Sequence, residues 1–327
     1  MLTSVLTSLV RVAAAAARLK PTVVDGQTLD PHIRVLCKAG DWIGKPLEAL
    51  DPALARTEIT RRQRLTIGRP LAVPSEDLVL AGRPARLYRP TPEASDLLLY
   101  FHGGGFCLGD LDSHHVACQR LARASGMAVL AVDYRLAPEH PFPAAVDDAL
   151  AAWEAAQDLG FDRIAVGGDS AGGTLAAVIA LEARDRGGPA PAAQLLLYPS
   201  LDRASVTASR EHFDRGFLLT GALTDWFMDH YLQGHPSSDP LVSPSRWPTG
   251  HAELPPTLMV IAGFDILRDE ARAHASTLRA RGVTVVVQEH EGLVHGFLQL
   301  DGAAPLARRA TDQAGEALRE LLVAVGR

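Results

Sequence analysis

From Pro74 onward the chain alternates short apolar runs with Ala/Leu-rich stretches of helical period, which predicts an α/β fold: a mostly parallel central sheet covered by helices on both faces. A second observation sharpens this. The apolar run Arg163-Ile164-Ala165-Val166-Gly167 leads directly into Gly168-Asp169-Ser170-Ala171-Gly172 and then into an Ala/Leu-rich pattern, placing G-x-S-x-G at a sharp turn from strand to helix. The third observation is size. A chain of 327 residues that is 47% hydrophobic can bury one large core with an elaboration on it.

The elements follow from the same pattern. Leu97–Phe101 is a buried strand that runs into the glycines Gly103, Gly104 and Gly105. Helices are expected near Ser113–Ala124, Pro143–Gln157, Ala171–Arg186, Asp269–Arg281 and Pro305–Val323. Further strands are Gln194–Tyr198, Pro256–Phe264 and Val283–His290, the last followed by a loop that carries His295. Two segments break the alternation, roughly Met1–Thr66 and Asp202–Pro236.

Ser170 is the candidate nucleophile, because a serine on such a turn has its hydroxyl pushed out above the carboxyl end of the sheet. Hydrolysis of an ester passes through a tetrahedral oxyanion, which needs preorganised donors. The bare amides of Gly103, Gly104 and Gly105 can approach closely, and Ala171, next after the nucleophile, offers another. Asp265 lies just past an apolar strand and His295 after the last one, where active-site residues of a parallel sheet collect. His295 would take the Ser170 proton and return it to the leaving group, while Asp265 would fix the imidazole tautomer. Asp269 and His290 compete for these two roles.

With these motifs the chain resembles the bacterial hormone-sensitive-lipase-like esterases and lipases of the α/β-hydrolase fold. The likeness starts near Leu78 and covers about three quarters of the chain, resting on His102-Gly103-Gly104-Gly105-Phe106, on the Gly-Asp-Ser-Ala-Gly elbow and on the block Asp133–Ala145. The family usually carries Asp-Pro-Leu at the acid, whereas this chain has Asp265-Ile266-Leu267; losing the proline loosens the backbone without removing a catalytic group. In this fold the order is nucleophile, acid, histidine, which makes His102 a brace for the loop rather than the base. The block Asp133–Ala145 is implied to be scaffolding. The resemblance also implies a helical cap in two parts, residues 1–66 and 202–236, over a catalytic core of residues 67–201 and 237–327.

Leu223, Trp226, Phe227 and Tyr231 recur at helical spacing in the second cap segment, which suits packing within the cap as well as a substrate wall. Phe106, Trp226, Phe227, Phe217 and Leu218 are the candidate substrate contacts. A net charge of −6 argues against a nucleic-acid partner. Cys37, Cys107 and Cys118 have no zinc spacing and suit a reducing compartment, the cytoplasm, with Cys107 read as an ordinary buried thiol. The Leu2–Ala16 pattern reads as an amphipathic helix packed on the enzyme, since Ser and Thr interrupt it and no basic residue precedes it. No stable membrane insertion is expected. Asp112, Ser113, His114 and His115 read as a helix start rather than a metal site, and the elbow glycines lack a nucleotide signature. The sequence therefore predicts a serine carboxylic-ester hydrolase for short to medium acyl esters, with no cofactor and no metal, a small-molecule ester as partner and a homodimer left open. An amidase or arylformamidase on the same residues, or a ligand-binding receptor on the same fold, are the alternatives.

Overall fold

The computed structural model describes residues 20–40 and 45–325. The helix expected over Leu2–Ala16 lies outside these. The first described elements are a small hairpin, β1 (Val23–Val24) and β2 (Gln27–Thr28), then helix α1 (Pro31–Gly40), begun by Asp30 Oδ1 accepting from the amides of His32 and Ile33. Helix α2 (Pro52–Gln63) follows, capped by Asp51.

The main sheet has eight strands: β3 (Ser75–Leu80), β4 (Arg83–Tyr88), β5 (Asp96–Phe101), β6 (Ala128–Val132), β7 (Arg163–Asp169), β8 (Gln194–Leu197), β9 (Thr257–Phe264) and β10 (Val285–Val294), in the spatial order β10-β9-β8-β7-β5-β6-β4-β3. From β10 to β6 every pairing is parallel. At the other edge β3 and β4 form an antiparallel hairpin that docks antiparallel on β6. The sheet is thus mostly parallel as expected, with one antiparallel edge, because the tight turn Ala81-Gly82 returns the chain at once and leaves no crossover to set β4 parallel.

β6, β8 and β9 are buried along their whole length, and β5 and β7 everywhere but their first residue. Such unbroken apolar runs require cover on both faces. The cover comes from α3 (His115–Ser125), α4 (Ala144–Ala156), α5 (Ala171–Asp185), α8 (Arg268–Ala280) and α9 (Pro305–Val325), with α3 packed on α9 and α4 on α5. The five expected helices are all present within two residues at each end. Between β8 and β9 the chain adds α6 (Ala208–His212) and α7 (Gly221–Leu232), the latter capped by Thr220 Oγ1.

The last strand departs from expectation. β10 continues past His290 to Val294, with its register against β9 shifting between those two residues. That irregularity delivers His295 immediately at the strand end rather than from within a loop.

Candidate active site

Ser170 stands between β7 and α5 at φ 54° and ψ −117°, a conformation that costs a non-glycine residue about 1–3 kcal/mol. Neighbouring strands hold it there. Its amide donates to the Leu197 carbonyl (2.9 Å), and its own carbonyl accepts from Ser200 (3.2 Å). α5 can begin this close to β5 only because residue 172 is glycine: a Cβ there would meet the Phe101 carbonyl.

The structure brings three side chains from three strand ends into line. His295 Nε2 is 2.8 Å from Ser170 Oγ, and His295 Nδ1 is 2.7 Å from Asp265 Oδ2. The other Asp265 oxygen accepts from the Leu267 amide at 2.9 Å, so this carboxylate, 2% exposed, is fully partnered. With Nδ1–H donated to Asp265, Nε2 is left as the acceptor for the serine hydroxyl. The two competitors sit elsewhere. Asp269 accepts from Arg268 and from the Ser209 amide, while His290 lies in an edge-type contact with Phe297 and leaves Nε2 without a partner.

The three glycines divide. Gly103 donates its amide to Asp169 Oδ1 at 2.9 Å, so that group is spent inside the protein and is not a donor to substrate. Gly104 (φ 123°) and Gly105 (φ 61°) lie in left-handed backbone, and their amides, like that of Ala171, have no protein acceptor among the described residues. Gly105 also has to be glycine, because a Cβ would enter the Phe227 ring.

Asp169 is a functional residue that the sequence reasoning passed over. It is buried, and its carboxylate accepts from Tyr100 (2.6 Å), the Gly103 amide and Tyr198 (3.3 Å), with His114 Nε2 at 3.3 Å. Burial works against its charge, but the His114 imidazole and these hydrogen bonds prevail and hold its pKa at about 2. One carboxylate thereby ties the elbow to the glycine loop. The signal was an acidic residue wedged between Gly168 and Ser170 in an otherwise apolar strand end.

The loop is braced from three further sides. His102 stacks on Tyr134 at 4.4 Å and approaches the Gly103 carbonyl through Nδ1 (2.8 Å), and burial pushes its pKa down to about 4. Tyr134 donates to the His102 carbonyl (2.7 Å), and the Ala137 amide to the Phe106 carbonyl (2.8 Å), which makes the Asp133–Ala145 block a clamp on the loop. Arg56 on α2 binds the carbonyls of Cys107 and Ala137 (2.8 Å each) and both oxygens of Glu139. Cys107 itself is buried, its thiol raised to about 12 by burial, and thus inert.

A cavity of about 1060 Å³ opens over Ser170. Phe106, Phe227 and Leu218 are in its wall, Phe106 stacked at 4.0 Å on Tyr231. Trp226 and Phe217, expected there too, are not. Trp226 turns onto His230 (4.4 Å), on the same side of α7 one turn on, and Phe217 packs between Phe213 and Phe264. In the polar cluster near residue 112 only Ser113 and His114 stay joined (3.0 Å); Asp112 pairs with Arg86, His115 with Tyr88, and His114 also with Gln299 and Asp169. No helix among the described residues is long and apolar enough to cross a membrane.

A strained serine at the end of a parallel sheet, with an imidazole and a buried carboxylate in line behind it, defines the class of α/β hydrolases. The chain belongs to the hormone-sensitive-lipase-like esterases of that class: the family model for the alpha/beta hydrolase fold matches residues 98–299. It is similar to carboxylic ester hydrolase LipN of Mycobacterium tuberculosis, 40% identical over 92% of this chain and 85% of that one, and to an ethyl acetate hydrolase of Pseudomonas putida, 37% identical over 88% and 96%. Among solved structures, a thermostable esterase from Pseudomonas putida superimposes with a TM-score of 0.82 at 34% identity, covering 92% of this chain and 99% of that one.

Proposed function

We propose that the protein is a serine carboxylic-ester hydrolase acting on short to medium acyl esters, with Ser170 as nucleophile, His295 as general base and acid, and Asp265 as the residue that orients His295. The observation that carries the reading is the continuous relay from Asp265 through His295 to Ser170, with 2.7 and 2.8 Å links, opening into a cavity whose lining is mostly apolar. Substrate binds with its carbonyl oxygen toward the amides of Gly104, Gly105 and Ala171. Ser170 Oγ attacks the carbonyl carbon as its proton passes to Nε2, and the negative charge collects on the oxygen facing those amides. Collapse breaks the ester C–O bond, and the proton on Nε2 goes to the departing alkoxide, leaving an acyl-serine. Water, deprotonated by Nε2, repeats the addition, and the acid leaves as Ser170 recovers its proton.

The walls favour a bounded acyl group. Helix α7 supplies Phe227, which lies over Gly105 and limits the space beyond the donors. The name of the ethyl acetate hydrolase supports the short end of the range. The buried thiols of Cys107 and Cys118 support a reducing compartment, the cytoplasm.

The test is substitution with labelling. Ser170→Ala and His295→Ala are each expected to lower kcat on 4-nitrophenyl butyrate by about 10⁴-fold or more while the protein stays folded. Phenylmethylsulfonyl fluoride should add one tag, on Ser170. Retention of most activity by Ser170→Ala, or a larger loss in His290→Ala than in His295→Ala, rejects the assignment. Anilide analogues assayed alongside report whether amides are also cleaved.

A further inference from the structure

The charges lining the active-site cavity do not balance. Its one carboxylate among the described residues is Asp169, and that group is enclosed by its own donors. Three of the cavity's six arginines are engaged: Arg62 with Glu58 (2.7 Å), Arg120 with Asp301 (2.8 Å), and Arg308 with the Asp301 carbonyl (3.1 Å). Arg203 is different. Its backbone amide donates to Ser243 Oγ, but its guanidinium makes no hydrogen bond or ion pair among the described residues, and its Nε is buried without a partner.

The surrounding acids are taken. Glu270, fully buried, accepts at Oε1 from the amides of Leu201 and Asp202 (2.8 and 3.3 Å) and at Oε2 from Arg210 (2.7 Å). Asp202 turns to Arg246 (2.7 Å), and Asp225 is exposed on the outer side of α7. Two guanidiniums therefore lie near one buried carboxylate that Arg210 alone holds, and Arg203 is the surplus charge. Burial lowers its pKa only to about 10, so it stays protonated at neutral pH. Arg203 is also close to the chemistry in the chain, three residues after Ser200, whose amide holds the Ser170 carbonyl and whose own carbonyl is fixed by Thr174 (2.5 Å). Arg64 and Arg69, exposed at the cavity's rim with no acidic partner among the described residues, bias the approach in the same direction.

A guanidinium kept in a cavity wall without an acceptor is costly, and its planar fork matches a carboxylate in two parallel hydrogen bonds. We propose that Arg203 is a specificity residue that binds a carboxylate on the substrate, so that the preferred substrates are small esters carrying a free carboxylate on the acyl or the alcohol part. This rests on Ser170 being the esterase nucleophile.

The experiment compares matched pairs: 4-nitrophenyl hemiglutarate with 4-nitrophenyl pentanoate for a charge on the acyl part, and 2-acetoxypropanoate with 2-acetoxypropanamide for a charge on the alcohol part. The wild-type enzyme should favour the charged member of at least one pair, which identifies the part that carries the carboxylate. In Arg203→Gln the charged-to-neutral ratio of kcat/KM should fall roughly 10- to 100-fold, and Arg203→Lys should restore part of it. A ratio that Arg203→Gln leaves unchanged in both pairs, or a wild-type preference for both neutral members, overturns the proposal. Calorimetric binding to Ser170→Ala protein separates it from the hydrolase reading. Monomethyl glutarate should bind there more tightly than methyl pentanoate, and lose that advantage when Arg203→Gln is added, whether or not the wild-type protein turns esters over.

Discussion

At Ser170 and Asp169 two adjacent residues carry opposite kinds of cost. The serine holds a strained backbone, and the aspartate a buried charge, and each is kept by partners on β5, β8 and the glycine loop. Asp169 reaches the reaction only through Gly103, whose anchored amide sets where Gly104 and Gly105 point. Asp169→Asn keeps the shape but removes the charge beside His114. It is expected to lower kcat about 10- to 100-fold, less than outright loss of an oxyanion donor, while Ser170 still reacts with phenylmethylsulfonyl fluoride. Because the expected damage is to transition-state charge, the loss should appear in kcat more than in KM. A loss confined to thermal stability, with kcat within twofold of wild type, would show that the aspartate only supports the fold.

Helix α7 shows how one element serves two ends. Its aromatic stripe at helical spacing was compatible with cap packing and with a substrate wall, and the structure divides it by face. Phe227 looks onto Gly105 and the cavity, whereas Trp226 packs on His230 away from it. Phe227→Ala should therefore shift the preferred acyl chain toward longer esters, since each added buried CH₂ is worth ~0.8 kcal/mol. Trp226→Ala should instead lower stability by about 1–2 kcal/mol, less than a fully buried ring, and leave the chain-length optimum in place. An acyl series from acetate to decanoate with melting curves on both variants checks this, and equal profiles for the two reject the division. Arg56 makes the parallel case for α2: a helix far away in sequence holds the two ends of the glycine-loop clamp.

Over the whole molecule, several imidazoles are buried and neutral. Burial lowers His274 to about 3 and His102 to about 4, against an ordinary value of 6.5. Between those values the unfolded chain binds protons that the folded protein refuses. Their contribution to stability is thus fully present above pH 6.5 and is lost as pH falls toward 4 and 3, at up to about 1.4 kcal/mol per pH unit for each group. Glu270, raised by its burial, works in the opposite sense. Denaturant midpoints at pH 7, 5.5 and 4.5 should decline, and His274→Gln should decline less steeply than wild type. Parallel slopes for the two proteins would exclude His274 as a source.

Local pattern was enough for much of this protein. Strand-length apolar runs, helical periods and the Gly-x-Ser-x-Gly turn depend on neighbours in the chain, so the parallel core, the helix bounds within two residues and the ester-hydrolase class were legible in the sequence. Residues 170, 265 and 295 could be nominated because each stands at the end of an apolar run. What the sequence left open depends on partners far along the chain. That Gly103 is spent on Asp169, that Phe227 rather than Trp226 faces the cavity, that β4 turns back antiparallel and that Arg203 is left without a carboxylate are outcomes of packing and of competition for hydrogen-bond partners. Those are settled only when the strands, the α2 and α7 helices and the glycine loop meet in space.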